Sequence, residues 1–249
     1  MPAMAAVITI KITIGTRMTT DMNPMTYRLA AWLSPAFPVG AYTYSSGLEY
    51  AVEAGMVGDG DTLLDWIAGI IREGSGRVDA TLFRQAHEAA TAGDMERLAG
   101  IAEWGDAMRA TSEAALESSA QGEAFLATLR EAWPHGGLDD LAARFSAMGR
   151  KPAYSIAVGA ACGFHGLAVE PALTAFLHAV AANLVSAGVR LIPLGQTEGQ
   201  RITAALESVV AEAAGATLER DFDDIGAATA MVDWTSMQHE TQYTRLFRS

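Results

Sequence analysis

The segment of residues 34–47 constrains the fold most, because it carries too many helix-breaking residues to form one continuous helix. Pro35 and Pro38 each fix φ and lack a backbone N–H donor, whereas Gly40 and Gly47 permit a positive φ. Apolar side chains between them gain free energy only when something covers them. We therefore predict an ordered, non-helical or broken segment whose apolar side chains pack into a shaped site or against a partner. These side chains are Phe37, Val39, Tyr42 and Tyr44.

Most of the remaining sequence repeats apolar residues at helical spacing. Leu63, Trp66, Ile67 and Ile70 recur at positions i, i+3, i+4 and i+7, and no strand pattern appears after residue 24. Connections between the predicted helices are short, so sequential helices are expected to be antiparallel neighbours. The pattern predicts an all-α fold, a single-domain helical bundle of roughly eight to ten helices over residues 25–214.

The two ends of the chain depart from this pattern. Residues 1–24 are predicted to be a flexible extension or a start-site artefact, in which Val7–Ile14 alternates like a strand. Residues 215–249 begin with an acidic stretch and show weak periodicity, so we predict an acidic linker and a semi-ordered tail. Removing residues 237–249 is then expected to leave the helical domain folded. The alternative is a tail that docks on its own domain.

Composition argues against several classes of protein. The net charge of −12 disfavours nucleic-acid binding, which needs clustered lysine and arginine. No run approaches about 18 consecutive apolar residues, which argues against a membrane span. The single cysteine, Cys162, lies among apolar residues. This pattern indicates a reducing compartment and a buried, structural thiol.

Motifs that carry catalysis are missing from the sequence. It contains no G-x-x-x-x-G-K-[ST] P-loop, no G-x-S-x-G nucleophile elbow and no H-E-x-x-H zinc helix. The five histidines are spread along the chain without the spacing of zinc or nickel ligands. We therefore predict no enzymatic activity, no cofactor and no metal site. His239, in the tail, is interpreted as an interface residue or, equally, as a solvated one.

Two helical features each allow two interpretations. Glu198 falls on the apolar face of its predicted helix, where a carboxylate needs a partner. It either contacts another protein or lies in the first helical turn, beside a capping box of Thr197 and Gln200. Gly159 and Gly163 are four residues apart, which favours close helix packing within the fold and, more weakly, a dimer face.

Three blocks of the sequence resemble the urease accessory protein family UreF. The first is Trp32–Tyr50, with its Pro-Val-Gly turn and its Ser-Ser-Gly-Leu-Glu stretch. The second is Arg190–Ile202, which contains Leu-Gly-Gln-Thr, and the third is Met237–Ser249, which ends in Arg-Leu-Phe-Arg-Ser. The blocks occur in the order of the family, and the resemblance covers residues 25–249.

The resemblance implies a cytoplasmic, all-helical and dimeric accessory factor for nickel insertion into urease. Such a protein binds UreD (also called UreH) through a tail that becomes ordered on contact, recruits the GTPase UreG and docks on the urease apoprotein. It is a bridge without chemistry of its own. The partner-binding candidates are Phe37, Tyr42, Tyr44, Glu198, Gln200, Arg201, Tyr243, Arg245, Leu246, Phe247 and Arg248.

An alternative function is direct activation of GTP hydrolysis by UreG, in which this chain donates an arginine to the transition state. The candidates by position are Arg190, Arg201, Arg245 and Arg248.

Overall fold

The computed structural model describes residues 24–249, and these residues are helical almost throughout. No strand occurs within this range, so the predicted all-α single-domain bundle is confirmed. The helices are α1 Pro24–Trp32, α2 Leu48–Glu53, α3 Gly60–Glu73, α4 Ser75–Ala92, α5 Met95–Ala107, α6 Ser112–Ala132, α7 Gly136–Ala147, α8 Tyr154–Phe164, α9 Val169–Leu191, α10 Gln196–Glu219 and α11 Ala230–His239.

The predicted N-terminal extension lies outside the described residues, apart from Pro24, which opens α1. Two of the long helices begin with short polar caps. The Asp59 carboxylate accepts from the backbone N–H of Thr62 at 2.9 Å and opens α3, and Thr111 accepts from the N–H of Ala114 at the start of α6. Each cap satisfies a backbone donor that has no partner inside its helix.

Helix α8 lies at the centre of the bundle, between α4 and α6. Its residues 155–163 are all buried. A Cβ atom at Gly159 would lie 2.3 Å from the carbonyl oxygen of Phe83, and one at Gly163 would lie 2.5 Å from that of His87. The two glycines therefore let α8 approach α4 closely within one chain. Both glycines are buried against α4 within the chain, so they are not available to form a dimer face.

Cys162 lies on the same helix and is buried and unpaired, as predicted. Burial raises the pKa of its thiol, which keeps it in the unreactive neutral form.

Helix α9 is the one helix among residues 24–249 that has the length and composition of a membrane span, and half of its most apolar stretch is buried in the fold. The same pattern is typical of the core helix of a soluble protein. Leu173, Phe176 and Leu177 of this helix belong to the hydrophobic core.

Helix α10 continues to Glu219, past the predicted domain boundary after residue 214. Thr217 is buried, and Leu218 packs against the core, so the helix still has a face to bury there. The Arg84 guanidinium donates to the carbonyl oxygens of Leu218 at 3.0 Å and Arg220 at 2.6 Å, which satisfies the exposed end of the helix.

Candidate partner-binding site

The segment between α1 and α2 is an ordered chain of tight turns, which confirms the predicted broken segment. The N–H of Phe37 donates to the carbonyl of Ser34 at 2.9 Å, and the N–H of Val39 donates to that of Phe37 at 2.8 Å. A single 3-10 turn, Ala41–Thr43, follows. Gly47 has a φ of +79°, and a Cβ atom there would lie 2.7 Å from the backbone nitrogen of Ser236, so only glycine fits.

The aromatic side chains of this segment do not share one environment. Phe37 is buried, with its ring centroid 5.2 Å from that of Phe125, and Tyr44 is also buried. The prediction that Tyr42 is packed is wrong, since 68% of this residue is exposed. The short turn directs neighbouring side chains to different sides, and the position of Tyr42 is fixed through its backbone carbonyl instead of its ring.

The C-terminal residues lie against this segment. The backbone N–H of Arg248 donates to the carbonyl of Thr43 at 2.8 Å, and the N–H of Ser45 donates to the carbonyl of Ser249 at 2.8 Å. Phe247 is 4% exposed and belongs to the hydrophobic core. Of the two alternatives for the tail, the structure therefore shows the one that docks on its own domain.

Arg190, at the end of α9, joins these two segments. Its guanidinium donates to the carbonyl oxygen of Tyr42 at 2.7 Å and lies 4.3 Å from the centroid of the Phe247 ring. A cation over an aromatic face is attracted by the ring quadrupole. The three blocks that carry the family resemblance thus meet at one place on the surface.

Beneath the tail, the carboxylate of Glu49 in α2 has three polar partners. Its carboxylate receives the N–H of Leu246 at 2.6 Å and the N–H of Phe247 at 2.9 Å. It also lies 3.1 Å from Nε2 of His239, which is completely buried. The carboxylate therefore holds the last helix and the terminal segment together.

Glu113 of α6 completes this cluster. Its carboxylate lies 2.7 Å from Nδ1 of His239 and 2.8 Å from a guanidinium nitrogen of Arg245. An imidazolium can donate to both carboxylates, whereas a neutral ring can donate to only one. His239 is buried here, so both earlier interpretations of it, as an interface residue and as a solvated one, are wrong.

Glu117, one turn further along α6, accepts from the hydroxyl of Ser249 at 2.8 Å. Burial raises the pKa of its carboxyl to about 7, against the hydrogen bond from Ser249. Glu117 lines a cavity of about 340 Å³ together with Arg109, Tyr154 and Ser249. Arg109 is bound by Asp79 at 2.7 Å, so its charge is already neutralised.

The docked tail leaves a set of side chains in solvent, which we call the signature surface and define as Tyr42, Tyr243, Leu246 and Arg248. Tyr243 is fully exposed, and Leu246 is 66% exposed. Met231, Trp234 and Met237 of the adjoining helix α11 are exposed as well. Exposed apolar side chains of this kind are candidates for contact with another protein.

The structure does not bring every predicted residue to this surface. Glu198, Gln200 and Arg201 lie in the first two turns of α10, where Glu198 pairs with Arg201 at 2.8 Å and approaches Gly60 of α3. Glu198 occupies the first turn, as one interpretation predicted. The capping box of Thr197 and Gln200 is wrong, because Gly195 is the N-cap residue and makes no side-chain cap.

Sequence reasoning missed the three glutamates that hold the tail. A signal was available on α6, where Glu113, Glu117 and Gln121 recur every four residues and so share one helical face. Glu49 lies inside the first family block, but its role depends on contacts with residues 190 or more positions away. Among residues 24–249, no group of three or more histidine, cysteine or acidic residues is placed to hold a metal ion.

Comparison with known proteins gives one consistent family. A family model described as UreF matches residues 57–207. A Bradyrhizobium sp. protein named urease accessory protein UreF is 48% identical over 236 residues, covering 95% of this chain and 97% of its own. The protein of the same name from Bradyrhizobium diazoefficiens is 49% identical, covering 90% and 91%, and that from Rhodopseudomonas palustris is 47% identical, covering 93% and 94%.

Proposed function

Because the chain belongs to the UreF family of urease accessory proteins, we propose that it serves nickel insertion into urease as a non-catalytic bridge. In this role it binds UreD (UreH), recruits the GTPase UreG and brings both to the urease apoprotein. The proposal places it in the cytoplasm, as a homodimer, without nucleic-acid or membrane partners.

The observation that supports this role best is the convergence of the three family blocks on the signature surface. Arg190 of the second block contacts Tyr42 of the first and Phe247 of the third. The buried contacts fix the backbone, so that Tyr42, Tyr243 and Leu246 are presented in solvent. A surface that is rigid before binding loses less conformational entropy when a partner covers it. We propose that UreD covers this surface.

The partner-binding candidates then divide into two groups. Phe37, Tyr44 and Phe247 support the surface from inside, and Arg245 anchors the tail through Glu113. Tyr42, Tyr243, Leu246 and Arg248 are free to contact UreD. Glu198, Gln200 and Arg201 lie on α10 and are proposed to contact a different partner, UreG.

The test is a double substitution, Tyr243→Ala with Leu246→Ala, followed by co-purification with UreD. Both side chains are exposed, so we expect an unchanged melting temperature. A single anchor of this kind contributes about 2 kcal/mol or more, so removing even one of the two predicts a loss of binding of at least about 30-fold. Tyr27→Ala on α1 is the matched control, because Tyr27 is also exposed, at 53%, and lies outside the signature surface. Normal UreD binding by the double variant would contradict the proposal.

The alternative function, activation of UreG, draws support from Arg201. Its side chain is 73% exposed while paired only to Glu198 of its own helix. Arg190 and Arg245, by contrast, are engaged with the fold. An arginine that enters the transition state raises single-turnover GTP hydrolysis about 10³-fold or more. Hydrolysis by UreG is therefore measured with this protein, with Arg201→Ala and with Arg248→Ala. An equal rate with and without the protein excludes this function.

The homodimer is tested by light scattering of the protein alone and of its complex with UreD. We expect a dimer at least in the complex. A monomer in both states would contradict this part of the proposal.

A further inference from the structure

His165, just beyond the end of α8, lies where helix α1 meets the bundle. Its ring centroid is 5.1 Å from that of Trp32 on α1 and 5.2 Å from that of His135, the residue before α7. Trp32 also packs against Trp133, at 6.0 Å between ring centroids. The imidazole of His165 therefore forms part of the surface against which α1 packs.

The polar contact between Arg28 and His165 determines the protonation state of the imidazole. A guanidinium nitrogen of Arg28 lies 3.1 Å from Nδ1 of His165. A guanidinium has donors and no acceptor, so Nδ1 must be the acceptor. Only the neutral imidazole has a nitrogen that accepts. The contact thus exists only while His165 is uncharged.

The charges around the ring oppose its protonation. An imidazolium would place a second cation next to Arg28 and would face His135. The one acid of the neighbouring cleft, Asp140, lines that cleft together with His135, and no carboxylate among residues 24–249 is bonded to His165. Burial lowers the pKa of His165 most, and Arg28 and His135 lower it further, while the backbone of Trp133 acts in the opposite sense.

Apart from the Arg28 contact, helix α1 packs on the bundle through apolar side chains, and Leu29 and Ala31 are partly buried against the core. Trp32 is its only buried residue, and Tyr27 is mostly in solvent. Phe37, in the segment that follows, packs against Trp133 as Trp32 does, at 6.4 Å between ring centroids. Movement of α1 would therefore disturb the start of the segment that forms the signature surface.

We propose that His165 is a pH-sensitive clasp for helix α1, which holds Arg28 when neutral and releases the helix when protonated. The clasp goes beyond the proposed function and does not depend on it. Undocked, His165 titrates at its ordinary value of about 6.5. Because the docked ring resists protonation, docking is complete above this pH and weakens as the pH falls below it.

The test is amide hydrogen exchange of residues 24–33 in the full chain, measured by mass spectrometry between pH 7.5 and pH 5.0 and corrected for the intrinsic pH dependence of exchange. For each pH unit below the ordinary pKa of about 6.5, the equilibrium constant for docking of α1 falls by up to about tenfold. We expect the protection of α1 to fall by about tenfold at pH 5.0, while the buried helix α8 keeps its protection.

Three variants separate the clasp from a general effect of acid. His165→Gln keeps a neutral acceptor, so its α1 protection should be constant with pH. Arg28→Gln removes the cation from a surface helix, so we expect the protein to fold. The loss of α1 protection at low pH should be smaller in this variant than in the unaltered protein. His178→Gln alters an exposed histidine of α9 and should behave like the unaltered protein. Constant protection of the unaltered protein, or an undiminished fall in Arg28→Gln, would overturn the proposal.

Discussion

At the scale of single residues, a buried carboxylate decides the position of the chain's end. Glu49 accepts from two successive backbone N–H groups of the tail and contacts His239. Donors and acceptors buried together in this way are costly to leave unpaired, by about 1–3 kcal/mol each. Glu49 is therefore a structural residue of the tail, although its sequence context is that of an exposed helix start.

This predicts that Glu49→Gln destabilises the protein. The glutamine amide keeps one acceptor oxygen, but its NH₂ group faces either a backbone N–H donor of the tail or His239. Because two donors cannot form a hydrogen bond with each other, the free energy of unfolding should fall by about 1–3 kcal/mol. Urea denaturation measures this as a lower midpoint. Glu53→Gln on the same helix is the control, because Glu53 is exposed and pairs only with Gln242. An equal midpoint for both variants would contradict the role of Glu49.

Glu117 predicts a pH dependence of stability. Its pKa of about 7 in the folded protein exceeds the ordinary value of about 4.3, so the folded state binds more protons between these limits. The contribution of Glu117 is fully present below pH 4.3 and is lost as the pH rises through 7. Glu117→Gln, which stays neutral, should lose less stability between pH 6 and pH 8 than the unaltered protein. Parallel thermal melts across this range measure the difference, and identical slopes would contradict it.

At the scale of helices, the approach of α8 to α4 is set by missing side chains. A methyl group at Gly159 would meet the Phe83 carbonyl oxygen at 2.3 Å, and backbone atoms of a core helix do not move without cost. Gly159→Ala should destabilise the protein by about 1–3 kcal/mol or more. Gly69→Ala in α3 is the control, since nothing lies within 4 Å of its Cβ position. That change should instead stabilise by up to about 1 kcal/mol, and thermal melts distinguish the two signs.

Helices with a regular apolar stripe were predictable from the sequence, as α3 shows. Leu63, Ile67 and Ile70, spaced as a helical face, are all buried. The weak stripe of α11 gave no such signal, because its buried face consists of Thr235, Ser236 and His239. Such residues are buried only because specific partners exist, among them Thr111 for Ser236 at 2.8 Å. Local periodicity does not contain these partners, so the candidate site was predictable only in part.

At the scale of the whole molecule, the C-terminal tail is docked on the helical domain and forms part of its fold. Ser45 and Ser249 are 204 positions apart and are hydrogen-bonded through the backbone and the Ser45 hydroxyl. The resemblance identified the blocks that meet here, but weak periodicity suggested few contacts within the domain. Backbone pairing and buried carboxylates leave no periodic trace, which is why that expectation failed for the terminal residues.

The docked tail changes what removal of residues 237–249 should do. The truncation takes Phe247 out of the core and deprives Glu49 and Glu113 of His239. Loss of a buried aromatic side chain costs about 3–5 kcal/mol, and leaving the buried Glu49 carboxylate without its partners adds to it. We therefore expect a clearly lower melting temperature, where the sequence alone predicted little change.

Binding and stability must be separated in that experiment, because an unfolded domain also fails to bind UreD. The truncated protein is compared with the Tyr243→Ala, Leu246→Ala double variant by thermal melting and UreD co-purification. If the tail is both a structural element and the docking element, truncation lowers stability and binding, whereas the double variant lowers binding alone. A truncated protein that melts like the full chain would show that the buried contacts of the tail contribute nothing to the fold. The tail would then be free to order on its partner, as the sequence first suggested.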